Sequence, residues 1–400
     1  MKKLATWASI VLVGALMMTG CSANGNENVK DANAANESQV AVNENSENVE
    51  EMPEKAEETS KEISSETNEK SNVETAEIEK ELSTEEKIAN INLSKKPNEL
   101  GKIMVLMYHN IGEKEDVWVR TPDNFRQDLE RLYNEGYRPI RLSDYVNNEI
   151  DVEAGYTPIV ITFDDGNQNN FNIIGEKDGI PEIDPNCAVG IMDAFNKEHP
   201  DFNGTADFFL FGTNPFGQEE YVEYKLNYLV ENGYDVGNHT MSHVDFKSSK
   251  YQNAEAIQKA LAVQVQRLEN EIKDESYRVN TLALPYGHRP KTDALQKFLA
   301  KGSYDGTEYE NVAVLNVGWD PYYSPVDKRF DQTTIHRIRA GVIEVDNVGI
   351  LDWLESFEKH PTRKYISDGE KDIITIPARL KEQLDESKIN GKAVNVYDEN

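Results

Sequence analysis

The run Ile159-Val160-Ile161-Thr162-Phe163, followed at once by Asp164-Asp165-Gly166, restricts the fold more than any other stretch of the chain. An unbroken apolar, β-branched run fits a strand buried on both faces, as in a parallel sheet covered by helices. Gly166 lets the backbone turn sharply where the strand stops. The two acids then sit at the strand's C-terminal tip, where α/β sheets and barrels gather ligands and catalytic groups. Adjacent carboxylates repel, so such a pair calls for a cation or a shared proton. A metal site meets that need, and a solvated Asp-Asp-Gly turn is the alternative.

Composition removes about a quarter of the 400 residues from the folded part. Lys2 and Lys3, the apolar run Leu4 to Met18 and small residues after it read as an export signal over residues 1–20, too short for a membrane span. Its end, Met18-Thr19-Gly20-Cys21, resembles the lipobox of bacterial lipoproteins, which implies lipidation at Cys21 and a membrane contact through that anchor only. An incidental Cys after a plain secretory signal is the alternative. The expected localisation is the extracytoplasmic face of a bacterial cell membrane.

Residues 22–98 contain no Phe, Trp or Tyr, and residues 22–100 carry 20 acids against 8 bases, a net of −12. Such a segment cannot bury enough apolar area to offset chain entropy, so residues 21–98 read as a disordered tether with a span of roughly 50 Å. Of the whole chain's net charge of −30, about −20 falls on the last 300 residues, which argues against nucleic acid and anionic membrane surfaces as partners. Cys187, the one other cysteine, leaves no disulfide framework and reads as a packed small side chain.

From residue 101, strands and helices alternate. Ile103 to Asn110 is an apolar strand ending in a polar cluster, and a helix follows with Thr121 or Asp123 as cap. After the Asp164-Asp165 strand, the long connection Asn167 to Thr205, with a short helix at Ile191 to Asn196, reads as a lid or binding loop. Further strands are expected at Ala206 to Phe211, Asp235 to Asn238, Thr281 to Leu284 and Val312 to Val317. Helices are expected at Glu219 to Glu231, Ala254 to Ile272 and Ile350 to Lys359. This order argues for an α/β fold with a mainly parallel sheet, closed or nearly closed into a barrel, over residues 101–340. Residues 341–400 form an extension, with a hairpin near Tyr365 to Ile376 and a polar tail.

His239 and His243 are four apart, so a helical turn would project both imidazoles from one face. With a strand-end carboxylate they make two nitrogens and one oxygen, a set that binds a divalent metal and leaves positions open. Thr162-Phe163-Asp164-Asp165-Gly166 followed by His239-Thr240-Met241-Ser242-His243 resembles the first two motifs of the polysaccharide deacetylases, the NodB-homology or carbohydrate esterase family 4 enzymes. Pro285-Tyr286-Gly287 resembles their third motif and Trp319-Asp320 their fourth.

The resemblance implies an irregular (β/α) barrel of the NodB type that removes N-acetyl groups from N-acetylglucosamine units of an extracellular or cell-wall polysaccharide. It implies that Asp165, His239 and His243 hold the metal, usually zinc, and that Asp164 is the base. By the same likeness Pro285 and Tyr286 line the oxyanion site, with the Tyr286 amide as donor, and Trp319 and Asp320 border the sugar pocket. The family's late acid histidine has no clean copy at His336. Val105-Leu106-Met107-Tyr108-His109 resembles that motif moved to the front, as in the circularly permuted branch that includes deacetylases of poly-β-1,6-N-acetylglucosamine, which favours His109 as acid. Ala283 stands where the family often has an Arg that orients the base, and Arg289 is the nearest replacement in sequence. Two other readings follow from the same residues: a glycan-binding lipoprotein without catalysis, and a non-haem iron oxygenase.

Overall fold

Eight strands, all paired in parallel, build the central sheet of the computed structural model, which describes residues 82–341 and 348–399. In chain order they are β1 (Met104–Tyr108), β2 (Tyr137–Pro139), β3 (Thr157–Phe163), β4 (Asp207–Leu210), β5 (Asp235–Asn238), β6 (Thr281–Ala283), β7 (Ala313–Leu315) and β8 (Ile338–Arg339). Across the sheet the order is β7-β6-β5-β4-β3-β1-β8, with β2 beside the first half of β3. A parallel bridge between Leu315 and Ile335 draws the β7 edge towards the segment that enters β8, so the sheet curls nearly into a barrel. The export signal, Cys21 and most of the acidic tether lie outside the described residues.

Every residue of β3 is buried, as its unbroken apolar run demands. Alternation along the strand then assigns its faces. Ile159, Ile161 and Phe163 join Leu106 and Phe208 in the large core beneath the helices, whereas Val160 joins Val105, Phe209, Ala283 and Leu315 inside the curl. Each such side chain contributes about 1.5–3 kcal/mol through removal from water. The helix Pro122–Asn134 is capped by Thr121, whose hydroxyl accepts from the Asn124 N–H at 3.3 Å, and it buries Phe125, Leu129 and Leu132 against this layer. The helix Ala254–Glu269 ends three residues before the expected Ile272, and Glu219–Tyr221 forms a 3-10 turn before the helix Val222–Glu231.

Order begins earlier than the composition suggests. A helix at Thr84–Asn90 stands inside the segment read as tether, because Ser83 and Glu86 form a reciprocal capping box. Asn98 pairs with Ile366, and Glu99 is buried. The C-terminal extension also differs from expectation. Ile373–Pro377 does not form a hairpin with residues before it; it pairs in parallel with Ala393–Tyr397, inside the segment read as polar tail. A parallel pair needs a crossover, supplied here by the 3-10 turns of residues 378–388.

The long connection after β3 is structured throughout: a 3-10 turn at Gln168–Asn170, an antiparallel hairpin of Ile173–Lys177 with Ile180–Ile183, and the helix Ala188–Glu198. Cys187 is buried and caps that helix, its sulfur accepting from the Gly190 N–H at 3.4 Å. Among the described residues, no helix is long and apolar enough to cross a membrane.

Candidate active site

The C-terminal ends of β1, β3, β5 and β6 bring the polar residues of the sequence motifs to one rim of the sheet. Asp165 Oδ1 stands 3.5 Å from His239 Nε2 and 3.4 Å from His243 Nε2, and one ligand atom from each of the three lies within 4.8 Å of the others. Donor atoms about 2.1 Å from a tetrahedral ion are about 3.4 Å apart, so this cluster fits a divalent metal. His239 Nδ1 lies 2.8 Å from the Ala283 carbonyl. A carbonyl only accepts, so Nδ1 carries the proton and Nε2 is left free to ligate.

The two histidines are not on a helix, as their spacing suggested. The Asn238 carboxamide accepts from the Thr240 N–H at 2.7 Å, and the Thr240 hydroxyl accepts from the Val244 N–H at 3.0 Å. These side-chain bonds replace helical ones and fold residues 239–243 into a tight turn. Asp165, Thr240, His243 and Tyr286 all take left-handed backbone angles, with φ of 75°, 67°, 46° and 60°. Such conformations cost about 1–3 kcal/mol each and persist where surrounding structure enforces them. Four of them meet at this rim.

Asp164 is buried behind the cluster and bound on both oxygens by Arg337, at 2.6 and 2.7 Å. Arg337 is itself fully buried, with further bonds to the Thr162 hydroxyl at 3.1 Å and the Asn316 carbonyl at 3.2 Å. Burial pushes the Asp164 carboxyl up, but Arg337 and then His239 outweigh it and hold the group well below the usual carboxylate range. The replacement expected at Arg289 does not occur. Its guanidinium bonds Gln296, Asn316 and the Thr333 carbonyl instead. Arg337 follows the Thr334-Ile335-His336 run, 173 residues from Asp164, and no spacing rule links the two.

His109, at the tip of β1, points Nε2 at Asp164 Oδ2 from 3.9 Å. Its ring packs 4.6 Å from Trp118, a half-exposed residue that the motifs did not single out. Trp118 is positioned by backbone pairing of Asn110–Ile111 with Val119–Arg120, and Arg120 is pinned by Asp128 and Glu115. Burial lowers the His109 pKa, and the opposing pull of Asp164 and Asp165 does not restore it. His336 lies elsewhere in the network: its Nδ1 is 3.0 Å from Asp320 Oδ1, and Lys102 holds the other oxygen at 3.0 Å.

Asp320 therefore sits in an ion-paired cluster. Trp319 is 63% exposed, and its carbonyl accepts from the Trp353 indole at 2.6 Å. Pro285 is buried at the end of β6, and Tyr286 stands exposed with its ring 4.6 Å from His243. The exposed face of Tyr286, beside the Asp165, His239 and His243 donors, suits a sugar ring, whose C–H faces stack on an aromatic face while its hydroxyls bond polar neighbours.

The family model for polysaccharide deacetylases matches residues 151–301. Among curated proteins, none matches the chain. Of the solved structures, the deacetylase PplD of Streptococcus pyogenes, in complex with acetate, is 17% identical with a TM-score of 0.45, covering 64% of this chain and 98% of its own. A polysaccharide deacetylase of Bacillus cereus is also 17% identical at 0.43, covering 65% and 69%. IcaB of Ammonifex degensii is 16% identical at 0.41, covering 60% and 92%. The family model spans β3 to β6, which carry the Asp-Asp pair, both histidines and Pro285-Tyr286. The match places residues 151–301 of the chain within the polysaccharide deacetylase model.

Proposed function

We propose that this domain hydrolyses the N-acetyl groups of N-acetylglucosamine units in an extracellular polysaccharide, with a divalent metal, zinc by preference, held by Asp165, His239 and His243. One observation carries the reading: beside a donor cluster of metal-binding size lies a buried carboxylate kept ionised by Arg337, with an imidazole on its other side. When bound, the ion supplies Lewis acidity, polarising the acetamide oxygen and lowering the pKa of water towards about 7.

Asp164, held as carboxylate, takes the proton from the attacking water. Negative charge then develops on the acetamide oxygen, and the Tyr286 N–H is the proposed donor to it. Cleavage of the C–N bond needs a proton on nitrogen, which His109 gives. Acetate and a glucosamine amine leave. Trp319 and Trp118 border the sugar on either side of this chemistry.

The binding-only reading rests on Ala283 and on the choice of acid between His109 and His336; Arg337 supplies the orienting guanidinium that Ala283 lacks, and His109 faces Asp164 where His336 faces Asp320. We also propose a lipid anchor at Cys21, on the strength of the lipobox resemblance and the tether that follows it. The test of function is acetate release from N-acetylglucosamine oligomers by chelator-treated protein before and after zinc is restored. Release that is the same in Asp164→Asn would remove the proposal.

A further inference from the structure

Lys225 lies on the helix Val222–Glu231 with no exposed surface, and it takes no part in the proposed chemistry. Among the described residues it forms no ion pair. Its ammonium donates instead to two neutral oxygens, the Phe216 carbonyl at 3.0 Å and Gln218 Oε1 at 2.7 Å. The Phe171 and Phe216 rings stand 5.8 and 5.9 Å from the nitrogen. Burial pushes its pKa down to about 8, as expected of a cation held where charge is disfavoured. An apolar residue would fill the same space without that penalty. The two acceptors give the reason for a lysine.

Both belong to the loop that leaves β4, residues 211–218. Phe216 there takes a φ of 62° although it is a bulky aromatic, and Gly217 follows at 70°. A bulky residue holds a left-handed angle only where its surroundings enforce it. Lys225 grips Phe216 by its carbonyl. On the other side the Phe216 N–H donates to the Gly166 carbonyl at 2.7 Å. The ring itself is fully buried, 5.7 Å from Phe171 and 5.9 Å from Phe208. Gln218 ties in the next segment: its carboxamide donates to the Ile173 carbonyl at 2.8 Å and accepts from the Ile173 N–H at 2.9 Å. One ammonium thus joins the loop after β4 to both ends of the turn after β3, residues 166–173.

Gly166 directly follows Asp165, one of the three proposed metal donors. Asp165 and Gly166 both have left-handed backbone angles, with φ of 75° and 65°, so the place of the carboxylate depends on what grips this turn from outside. The turn is already pressed against the end of β4, since a Cβ on Gly166 would stand 2.8 Å from Leu210 Cδ2. We propose that Lys225 is a positioning residue for Asp165. By fixing Phe216 it fixes the Gly166 carbonyl, and with it the aim of the Asp165 oxygen towards His239 and His243. The inference rests on the metal reading and extends the proposed site inward, to a buried cation that touches neither ion nor substrate.

The test is the zinc affinity of the full chain, measured by calorimetry after a chelator has stripped the protein. Lys225→Met keeps the length and apolar stem of the side chain and removes its donors. It should weaken zinc binding about tenfold, the lower end of what a metal site loses with a supporting hydrogen bond. Leu229→Ala, a fully buried core position on the same helix, should lower the melting temperature and leave zinc affinity unchanged. A third measurement needs no variant. Coupling between two sites is reciprocal, so zinc loading of the wild type should slow hydrogen exchange at the Phe216 amide. Equal zinc affinity in Lys225→Met and wild type, equal losses in the two variants, or Phe216 exchange indifferent to zinc would each overturn the assignment while leaving the metal reading intact. A wild type that binds no zinc would remove the metal reading, and this assignment with it.

Discussion

Arg337 grips both oxygens of Asp164, at 2.6 and 2.7 Å, from a segment 173 residues further along the chain. A fork of this kind fixes the direction of the carboxylate as well as its charge. Arg337→Lys keeps a cation but loses the fork, and kcat should fall about 10- to 100-fold, the usual effect of removing a supporting bond from an active-site group. Arg337→Ala leaves Asp164 charged and buried without its partner, which should cost about 3–5 kcal/mol of stability. Steady-state kinetics on the first variant and urea unfolding of the second check these values. A lysine variant with wild-type kcat would show that orientation of Asp164 does not matter.

The three donors of the proposed metal site should stand or fall together. His243→Ala and Asp165→Asn should each lower bound zinc well below one ion per chain and abolish acetate release. Chelation should do the same to the wild type, with activity restored by added zinc. Elemental analysis beside the kinetics decides the matter, and full activity in metal-free protein would defeat the metal reading.

If His109 protonates the departing amine, its loss should matter only where the leaving group needs a proton. His109→Ala should reduce acetate release from the glycan about 10²- to 10⁴-fold. It should leave hydrolysis of an aryl acetate, whose phenolate departs unaided, much less affected. Trp118→Ala, which unpacks the ring beside His109, should act on the same two substrates in the same sense but by only about tenfold, part of what the acid itself is worth. Equal losses on both substrates would exclude the acid role.

Asp207 and Asp235 face each other in register at the opposite end of the sheet. Burial, and then Asp235, pushes the Asp207 carboxyl well above the usual range. The folded chain thus keeps a proton that the unfolded chain releases near pH 4, so this group's contribution to stability is present below about pH 4 and is lost as pH rises through the folded pKa. Asp207→Asn removes that dependence and still offers an acceptor to the Leu142 N–H. The variant should match the wild type near pH 4 and exceed it in melting temperature near pH 7.5. A wild type that is the more stable at the higher pH would contradict the sign.

The parts of this molecule visible in its sequence are those where chemistry and periodicity coincide locally. The run from Ile159 to Phe163 had to be a doubly buried strand, and the parallel sheet followed from the alternation around it. The proximity of Asp165 to His239 and His243 also follows from strand-end placement. The turn that carries the histidines was misread, because a spacing of four is helical only when the backbone bonds to itself, and Asn238 and Thr240 intercept those bonds. Arg337 was invisible for a different reason: its partner is chosen by closure of the sheet, a long-range event with no local signature. The strand Ala393–Tyr397 escaped notice because its parallel neighbour lies beyond a crossover, and its alternating, half-exposed residues read as a tail.

Closure of the sheet has a temporal consequence. Both proposed proton-transfer groups and all three donors of the proposed metal site precede residue 244, yet the Arg337 guanidinium that grips Asp164 belongs to one of the last pieces of the barrel to leave the ribosome. A chain stopped before that piece carries the proposed metal ligands and the proposed acid, but an Asp164 carboxylate without its guanidinium partner. On the proposed reading, hydrolysis would therefore wait for completion of the barrel.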